Sequence, residues 1–232
     1  MRFGIYFTPT ECSELLTTGS NWLGRNVFQK PVKEFSGDHW LGWKERNILV
    51  ASAVRYGFHG TFKAPFSLAP GMRKEHLISE FKNFCKNNIS PGEVKLKLGQ
   101  IGPFFALVPD GACNKLNHFA NSIVEVFEPF RAPLTPADID RRHSHKLNQS
   151  EEENFHKWGY PYVFDTFQFH MTLTGPVAPG RVDAVWNSLT ERFRTALINP
   201  VPINSLAIYC ESEPGSNFKL EAFSVLNGSD KG

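Results

Sequence analysis

The chain has 232 residues, of which 41% are hydrophobic and 21% are charged, a composition that is ordinary for a globular protein and excludes disordered and collagen-like chains. The formal net charge of +2 provides no overall basic field for binding nucleic acid, although local patches could still hold an anion. Four widely spaced cysteines without a C-x-x-C pair exclude a disulfide scaffold and a zinc ribbon, and favour a reducing compartment.

Apolar periodicity divides the chain into strands and helices. In chain order, we predict a strand at 3–7, a helix at 9–23 that Gly19 interrupts, a strand at 58–63, a helix at 72–86, strands at 94–98 and 104–108, a helix at 114–127, a strand at 167–174, a helix at 181–197, and strands at 203–210 and 218–225. Two variable segments, 24–54 and 131–160, are rich in charged and aromatic residues. Twenty-one phenylalanines predict a core built from large flat side chains.

One short motif occurs twice, separated by just under half of the chain. It reads Phe-His-x-Thr followed by an apolar residue, at 58–62 and again at 169–173. Each copy is followed by a helix and then a strand at nearly the same spacing, so the chain contains two intertwined repeats of about 1–100 and 101–226. We therefore expect an α+β fold in a single bilobal domain over 1–232, with duplicated strand-helix-strand units related by pseudo-twofold symmetry around a central cleft.

The two motifs place the same chemical groups on one strand face. Because successive strand side chains point to opposite faces, His59, Thr61 and Lys63 share one face of the first copy, and His170 and Thr172 share one face of the second. A neutral imidazole can accept a proton and a charged one can donate it, which suits the cleavage of a phosphodiester. The threonine hydroxyls and the lysine could bind the phosphoryl oxygens. This chemistry requires no metal and no cofactor.

The paired motif and its flanks resemble the two-histidine (2H) phosphoesterase superfamily, and more closely one bacterial branch associated with phosphonate utilisation. The matching segments run over nearly the whole chain, at 56–59, 63–66, 130–134, 158–162 and 169–175. The resemblance implies a bilobal fold with a central groove and metal-independent cleavage of a phosphodiester, often a cyclic phosphate. It also implies that His59 and His170 are the acid and base, and that Thr61 and Thr172 bind phosphate. Gly60 and Phe62 depart from the aliphatic residues common at these positions.

Three other features have a functional and a structural interpretation. Tyr160 and Tyr162, on either side of a proline, could line the pocket and stack on a base or sugar, or could form a packed aromatic turn. The histidines and glutamates at 143–156 contain a His-x-His pair, but an exposed charged helix or loop is the better interpretation than a metal site. The basic residues at 131, 141, 142 and 146 could attract a phosphate or form a solvated face.

These observations favour a cytoplasmic, metal-independent phosphodiesterase acting on a small phosphodiester, a nucleotide or a cyclic phosphate. A membrane partner is not expected, because no apolar run approaches the ~20 residues that span a bilayer. Long nucleic acid is not the expected substrate, because each phosphate contact needs a cationic partner. Two alternatives stay open, namely a non-catalytic nucleotide- or phosphate-binding module and an enzyme that processes RNA ends carrying 2′,3′-cyclic phosphates. Neither the oligomeric state nor the order in which the histidines act follows from the sequence.

Overall fold

The computed structural model describes residues 1–143 and 147–227, except for the side chains of residues 141–143. The helices of this part of the chain are α1 (Glu14–Leu23), α2 (Trp43–Val54), α3 (Lys74–Asn87), α4 (Asn114–Val126), α5 (Pro136–His143), α6 (Gln149–Trp158) and α7 (Val182–Phe193). The strands are β1 (Arg2–Phe7), β2 (Gly60–Phe66), β3 (Glu93–Val94), β4 (Leu96–Ile101), β5 (Phe104–Pro109), β6 (Met171–Thr172), β7 (Val201–Pro202), β8 (Ser205–Glu211) and β9 (Lys219–Val225).

The strands form three antiparallel sheets, so the predicted α+β class is confirmed. The largest has the order β2-β1-β8-β9, the second has the order β4-β5-β6, and β3 pairs with β7. In each of the two larger sheets, a strand that carries part of the motif lies at the edge: β2 beside β1, and β6 beside β5. The bilobal arrangement and its pseudo-twofold symmetry stay predictions.

The core of the molecule is dominated by aromatic rings, in agreement with the abundance of phenylalanine. Phe62 contacts the rings of Phe119, Phe167 and Phe169, with ring centroids 5.7 to 6.4 Å apart. Such tilted and edge-on pairs stabilise a core beyond the burial of their surface. This cluster lies directly behind the two motif strands and fixes their positions.

Helix α1 has a side-chain cap at its start and a glycine at its end, and it continues through an internal glycine. The Ser13 side chain accepts a hydrogen bond from the Leu16 amide at the start of the helix, and Gly24 ends it with a φ of 75°. The helix continues through Gly19, where the sequence predicted an interruption. A Cβ at Gly19 would lie only 2.3 Å from the Phe58 ring, so glycine permits close packing of α1 against the segment that precedes β2.

The structure also shortens the predicted second motif strand and divides the one at 94–98 into β3 and β4. Within the variable segments it adds α2 at 43–54, together with α5 and α6. Helix α6 begins with a capping box formed by Asn148 and Glu151. In the described ranges 1–143 and 147–227, every helix is too short or too polar to cross a lipid bilayer.

Candidate functional site

The first motif follows a sharp turn at the end of α2. Gly57 has a φ of 80°, a conformation that favours glycine, and its carbonyl oxygen lies 2.8 Å from Nδ1 of His59. His59 is half-buried and immediately precedes β2. Its ring packs edge-on against Tyr6 with centroids 4.6 Å apart, and Tyr209 contacts it from farther away at 6.0 Å. The imidazole therefore sits in a rigid aromatic setting.

The second motif holds its histidine in the same way. Nδ1 of His170 lies 2.8 Å from the carbonyl oxygen of Gln168, two residues upstream, and the ring lies 6.1 Å from that of Phe104. Thr172, in β6, pairs with a residue of β5, and the buried Thr174 accepts a hydrogen bond from the Phe105 amide. These contacts fix the segment although β6 itself is only two residues long.

The shared bonding pattern defines the tautomer of both neutral rings. A carbonyl oxygen can only accept, so Nδ1 of His59 and Nδ1 of His170 must each donate. This leaves Nε2 of each neutral ring as the acceptor that can take a proton, and Nε2 of each charged ring as the donor that can give one. Both histidines are therefore prepared for proton transfer through the same atom.

The two motifs pack directly against each other. A Cβ at Gly60 would lie 2.6 Å from two ring carbons of Phe169 and 3.5 Å from a side-chain carbon of Met171, and β2 contacts β6. The absence of a side chain at position 60 thus allows this approach. It also explains the glycine that departs from the resemblance described above.

A cavity of about 400 Å³ opens between the two motifs. His59, Thr61 and Thr172 line it, together with Phe104, whose ring contacts His170. The remaining lining residues are Tyr6, Ser52, Ala53, Tyr56, Ala64, Pro65, Tyr160, Thr174, Gly175 and Pro176. The structure thus brings His59, Thr61 and Thr172 to one cavity of a size suited to a small ligand, whereas His170 is not among its described lining residues and contacts only the ring of the lining residue Phe104.

The electrostatic environment favours a neutral His59. The pKa of His59 is lowered to about 4, mainly by burial; the hydrogen bond to the Gly57 carbonyl opposes the shift, and His170 and Arg25 contribute to it in smaller measure. At neutral pH, His59 is therefore a proton acceptor.

Lys63 is not in this cavity, which corrects the prediction that it shares a face with the first histidine. It is 4% exposed, and its ammonium group donates to Glu128 over 2.8 Å and to a carbonyl of α4. The cause is an irregularity in the pairing of β2, where Thr61 pairs with Tyr6 but Lys63 pairs with Ile5. Because neighbouring residues of β1 point to opposite faces, this bulge sends Lys63 to the face opposite Thr61.

The two tyrosines have different positions. Tyr160 lines the cavity, whereas Tyr162 is 39% exposed and contacts the Tyr160 ring edge-on with centroids 5.5 Å apart. Tyr160 therefore stays a candidate for substrate contact. Tyr162 supports its ring from outside.

A family model described as protein of unknown function (DUF1045) matches residues 61–219 of this chain, which is more than half of its length. The chain belongs to this family. It is 32% identical over 225 residues to a protein of Janthinobacterium sp. (strain Marseille), with 94% of this chain and 49% of the relative covered. It is 30% identical over 222 residues to a protein of Laribacter hongkongensis (strain HLHK9), with 95% and 50% covered. Both relatives are named ribose 1,5-bisphosphate phosphokinase PhnN, and the chain spans about half the length of each.

Several lining residues of this DUF1045 chain escaped the sequence analysis. Tyr6 lies in a strand of apolar neighbours and resembles a core residue, and Phe104 and Ser52 lie in elements without a chemical motif. The sequence contains one signal for Tyr6, because this residue shares a strand face with Gly4 and Arg2. That arrangement is an unusual combination for a buried strand.

The histidines, glutamates and basic residues at 131–156 were the candidates for a metal site or a phosphate-attracting patch, and the structure describes only part of them. His145 and Lys146 lie outside the described residues, as do the side chains of Arg141, Arg142 and His143. Within the described ranges, no group of three or more histidine, cysteine, aspartate or glutamate residues is arranged to hold a metal ion. The guanidinium group of Arg131 donates to Glu128 and to backbone carbonyls, which gives this residue a structural role.

Proposed function

We propose that this protein is a metal-independent phosphodiesterase of the two-histidine type, acting on a small phosphodiester or cyclic phosphate. The observation that supports this most strongly is that His59, Thr61 and Thr172 line one cavity, while His170, anchored in the same way as His59, contacts the ring of the lining residue Phe104. Histidine is suited to both halves of such a reaction because its unperturbed pKa of about 6.5 lies near neutral pH.

In the proposed reaction, the two histidines act on opposite sides of the phosphorus atom. Nε2 of neutral His59 takes a proton from the attacking water while the new P–O bond forms. Nε2 of protonated His170 gives its proton to the leaving oxygen as the old P–O bond breaks. The assignment of His59 as the base rests on its lowered pKa, to about 4, and on its packing against the buried Tyr6 ring at the cavity wall.

The two threonines bind the phosphoryl group in this proposal. Thr61 and Thr172 are half-buried on the cavity wall, and each hydroxyl can donate to a non-bridging oxygen. Hydrogen bonds to a charged acceptor are worth about 1.5–3 kcal/mol each. Two such donors compensate in part for the absence of Lys63 from the site.

The names of the relatives support a proposal for the substrate class. Their name states an action on ribose 1,5-bisphosphate, and the resemblance is to a branch associated with phosphonate utilisation. We therefore place this chain in phosphonate metabolism and propose a ribose phosphate diester as its substrate. The kinase activity named for the relatives is not transferred, because this chain spans half of each of them and its sequence contains no G-x-x-x-x-G-K-[S/T] phosphate loop.

The test is a hydrolysis screen of small cyclic phosphates, including those of ribose, followed by phosphorus NMR. His59→Ala and His170→Ala are each expected to lose about 100-fold or more in kcat, with EDTA without effect on the wild type. His76→Ala is the matched control, because His76 is exposed on α3 and lies outside the described lining of the cavity.

Full turnover by both cavity variants would refute the proposal. Nucleotide binding without any product would instead indicate a binding module. A strong preference for oligonucleotides with 2′,3′-cyclic ends would indicate RNA end processing.

A further inference from the structure

A second cavity of about 380 Å³ adjoins the proposed catalytic cavity. The two share Tyr56, Ala64, Pro65 and Tyr160 as lining residues, so one elongated ligand can occupy both. A simple cyclic phosphate bound between the histidines would not reach this second space.

A buried hydroxyl group without a partner among the described residues belongs to Tyr6, which lines the first cavity. The Tyr6 side chain is fully buried, and its Oη makes no hydrogen bond to any described residue. A Cβ at Gly4 would lie 2.2 Å from this oxygen, which shows that the ring extends back along β1 across Gly4. Arg2, Gly4 and Tyr6 share one face of the strand, so the hydroxyl extends from the catalytic histidine toward Arg2.

The Tyr6 hydroxyl is a hydrogen-bond donor at every ordinary pH. Burial raises its pKa well above the usual value, and Tyr56, Tyr209 and Tyr160 raise it further, whereas Arg2 lowers it. A buried donor without an acceptor within the chain is a position that a ligand oxygen can satisfy.

Arg2 supplies positive charge at the wall of the second cavity. Its Nε donates to the buried carboxylate of Glu211 over 2.5 Å, which orients the guanidinium group at the wall of the second cavity. Its two terminal nitrogens make no hydrogen bond within the described ranges, and the side chain is one-third exposed. Arg55 also pairs with Glu211, so the two arginines exceed the single carboxylate by one charge.

Other charged groups of this cavity are already engaged. Arg131 is occupied by Glu128 and by backbone carbonyls, and Asp138 accepts hydrogen bonds from the amide and hydroxyl of Thr135. Among the described cations that line this cavity, Arg2 is therefore the one with terminal nitrogens left without a hydrogen bond.

We infer that a phosphate monoester at the far end of the substrate binds where the second cavity adjoins the first, held by the terminal nitrogens of Arg2 from the second cavity and by the hydroxyl of Tyr6, which lines the first. This inference rests on the proposed function, because it assigns the substrate two phosphorus groups: a diester at the histidines and a monoester at Arg2. Arginine is suited to this role because its planar donors match phosphate oxygens. The ribose 1,5-bisphosphate in the name of the relatives carries phosphates at both ends of one pentose, in keeping with such a substrate.

The test compares two diesters that differ only in the distant phosphate: ribose 5-phosphate 1,2-cyclic phosphate and ribose 1,2-cyclic phosphate. The wild type is expected to prefer the first by about 30-fold or more in kcat/KM, as hydrogen bonds to a charged group predict. Arg2→Gln and Tyr6→Phe are each expected to reduce this ratio about 10-fold or more, mainly through KM. Arg194→Gln, a change at an exposed arginine outside the described cavity walls, should keep the ratio.

A binding measurement makes the result independent of catalysis. By calorimetry, ribose 5-phosphate should bind the wild type more tightly than ribose, and Arg2→Gln should remove the difference. If neither diester is hydrolysed while this binding depends on Arg2, the proposed function fails and the second site stands. Equal kcat/KM for the two diesters, or ribose 5-phosphate binding that neither variant weakens, overturns the inference. Thermal melting verifies folding, and Tyr6→Phe decides the result if Arg2→Gln does not fold.

Discussion

Gly60 provides the sharpest test of how the two motifs are held together. An alanine Cβ at this position would lie 2.6 Å from the Phe169 ring, about 1 Å closer than the ~3.5 Å at which carbon atoms normally meet. Gly60→Ala must therefore displace the ring or β2 by about 1 Å. Overpacking of this kind costs about 1–3 kcal/mol of stability. Because Phe169 directly precedes His170, the displacement also moves a proposed catalytic group, and a shift of about 1 Å can lower the rate about 100-fold.

Gly99→Ala is the matched control for this experiment. Its Cβ would lie 2.7 Å from the Val108 side chain, a contact of the same severity, but Gly99 is on β4 and is not among the described residues that line either cavity. Both variants should show similar losses of stability in urea denaturation. Only Gly60→Ala should lower kcat for the hydrolysis of a cyclic phosphate. Wild-type kcat in Gly60→Ala, or an equal loss in Gly99→Ala, would refute the proposed convergence of the motifs.

Three further predictions concern the site and its surroundings. The acidic limb of kcat/KM should lie near pH 4, because His59 must be neutral to accept a proton and burial lowers its pKa to about 4; a limb near pH 6.5 in a pH–rate profile would contradict this role. Thr61→Val and Thr172→Val should each lower kcat/KM about 10-fold or more through the loss of a donor to phosphate, and wild-type kinetics in both would remove the threonines from the site. Lys63→Met should lower the free energy of unfolding by about 1–3 kcal/mol, because it removes a buried cation paired with Glu128, while kcat/KM stays within a few-fold; a large loss of activity at unchanged stability would return Lys63 to the site.

Local patterns in the sequence predicted most of the fold. The helical stripes of α3, α4 and α7 and the alternation of β1, β5, β8 and β9 identified these elements to within a few residues. Periodicity works here because each of these elements buries one face against the aromatic core. It missed α2, whose polar and apolar residues lack a clear amphipathic pattern. It also overestimated the second motif strand, whose position depends on loops and side-chain anchors more than on strand pairing.

The histidines and threonines of the candidate site could be predicted because their motif occurs twice in the sequence. Two copies of Phe-His-x-Thr named both histidines and both threonines without any coordinates. The alternation rule failed two residues later at Lys63, because a bulge in the pairing with β1 changes the face. Local sequence patterns do not predict such a bulge, because it arises from the pairing of two strands that are distant in the chain.

The amino-acid sequence by itself therefore determined the chemical groups, because a duplicated motif and its spacing are local properties of the chain. Only the tertiary structure decided which groups meet. It placed Phe169 on Gly60, assigned His59 a lowered pKa through burial, and directed the Tyr6 hydroxyl across Gly4 toward Arg2. Each of these outcomes depends on atoms brought together by packing from segments far apart in the chain, and burial and electrostatic fields exist only after that packing has occurred.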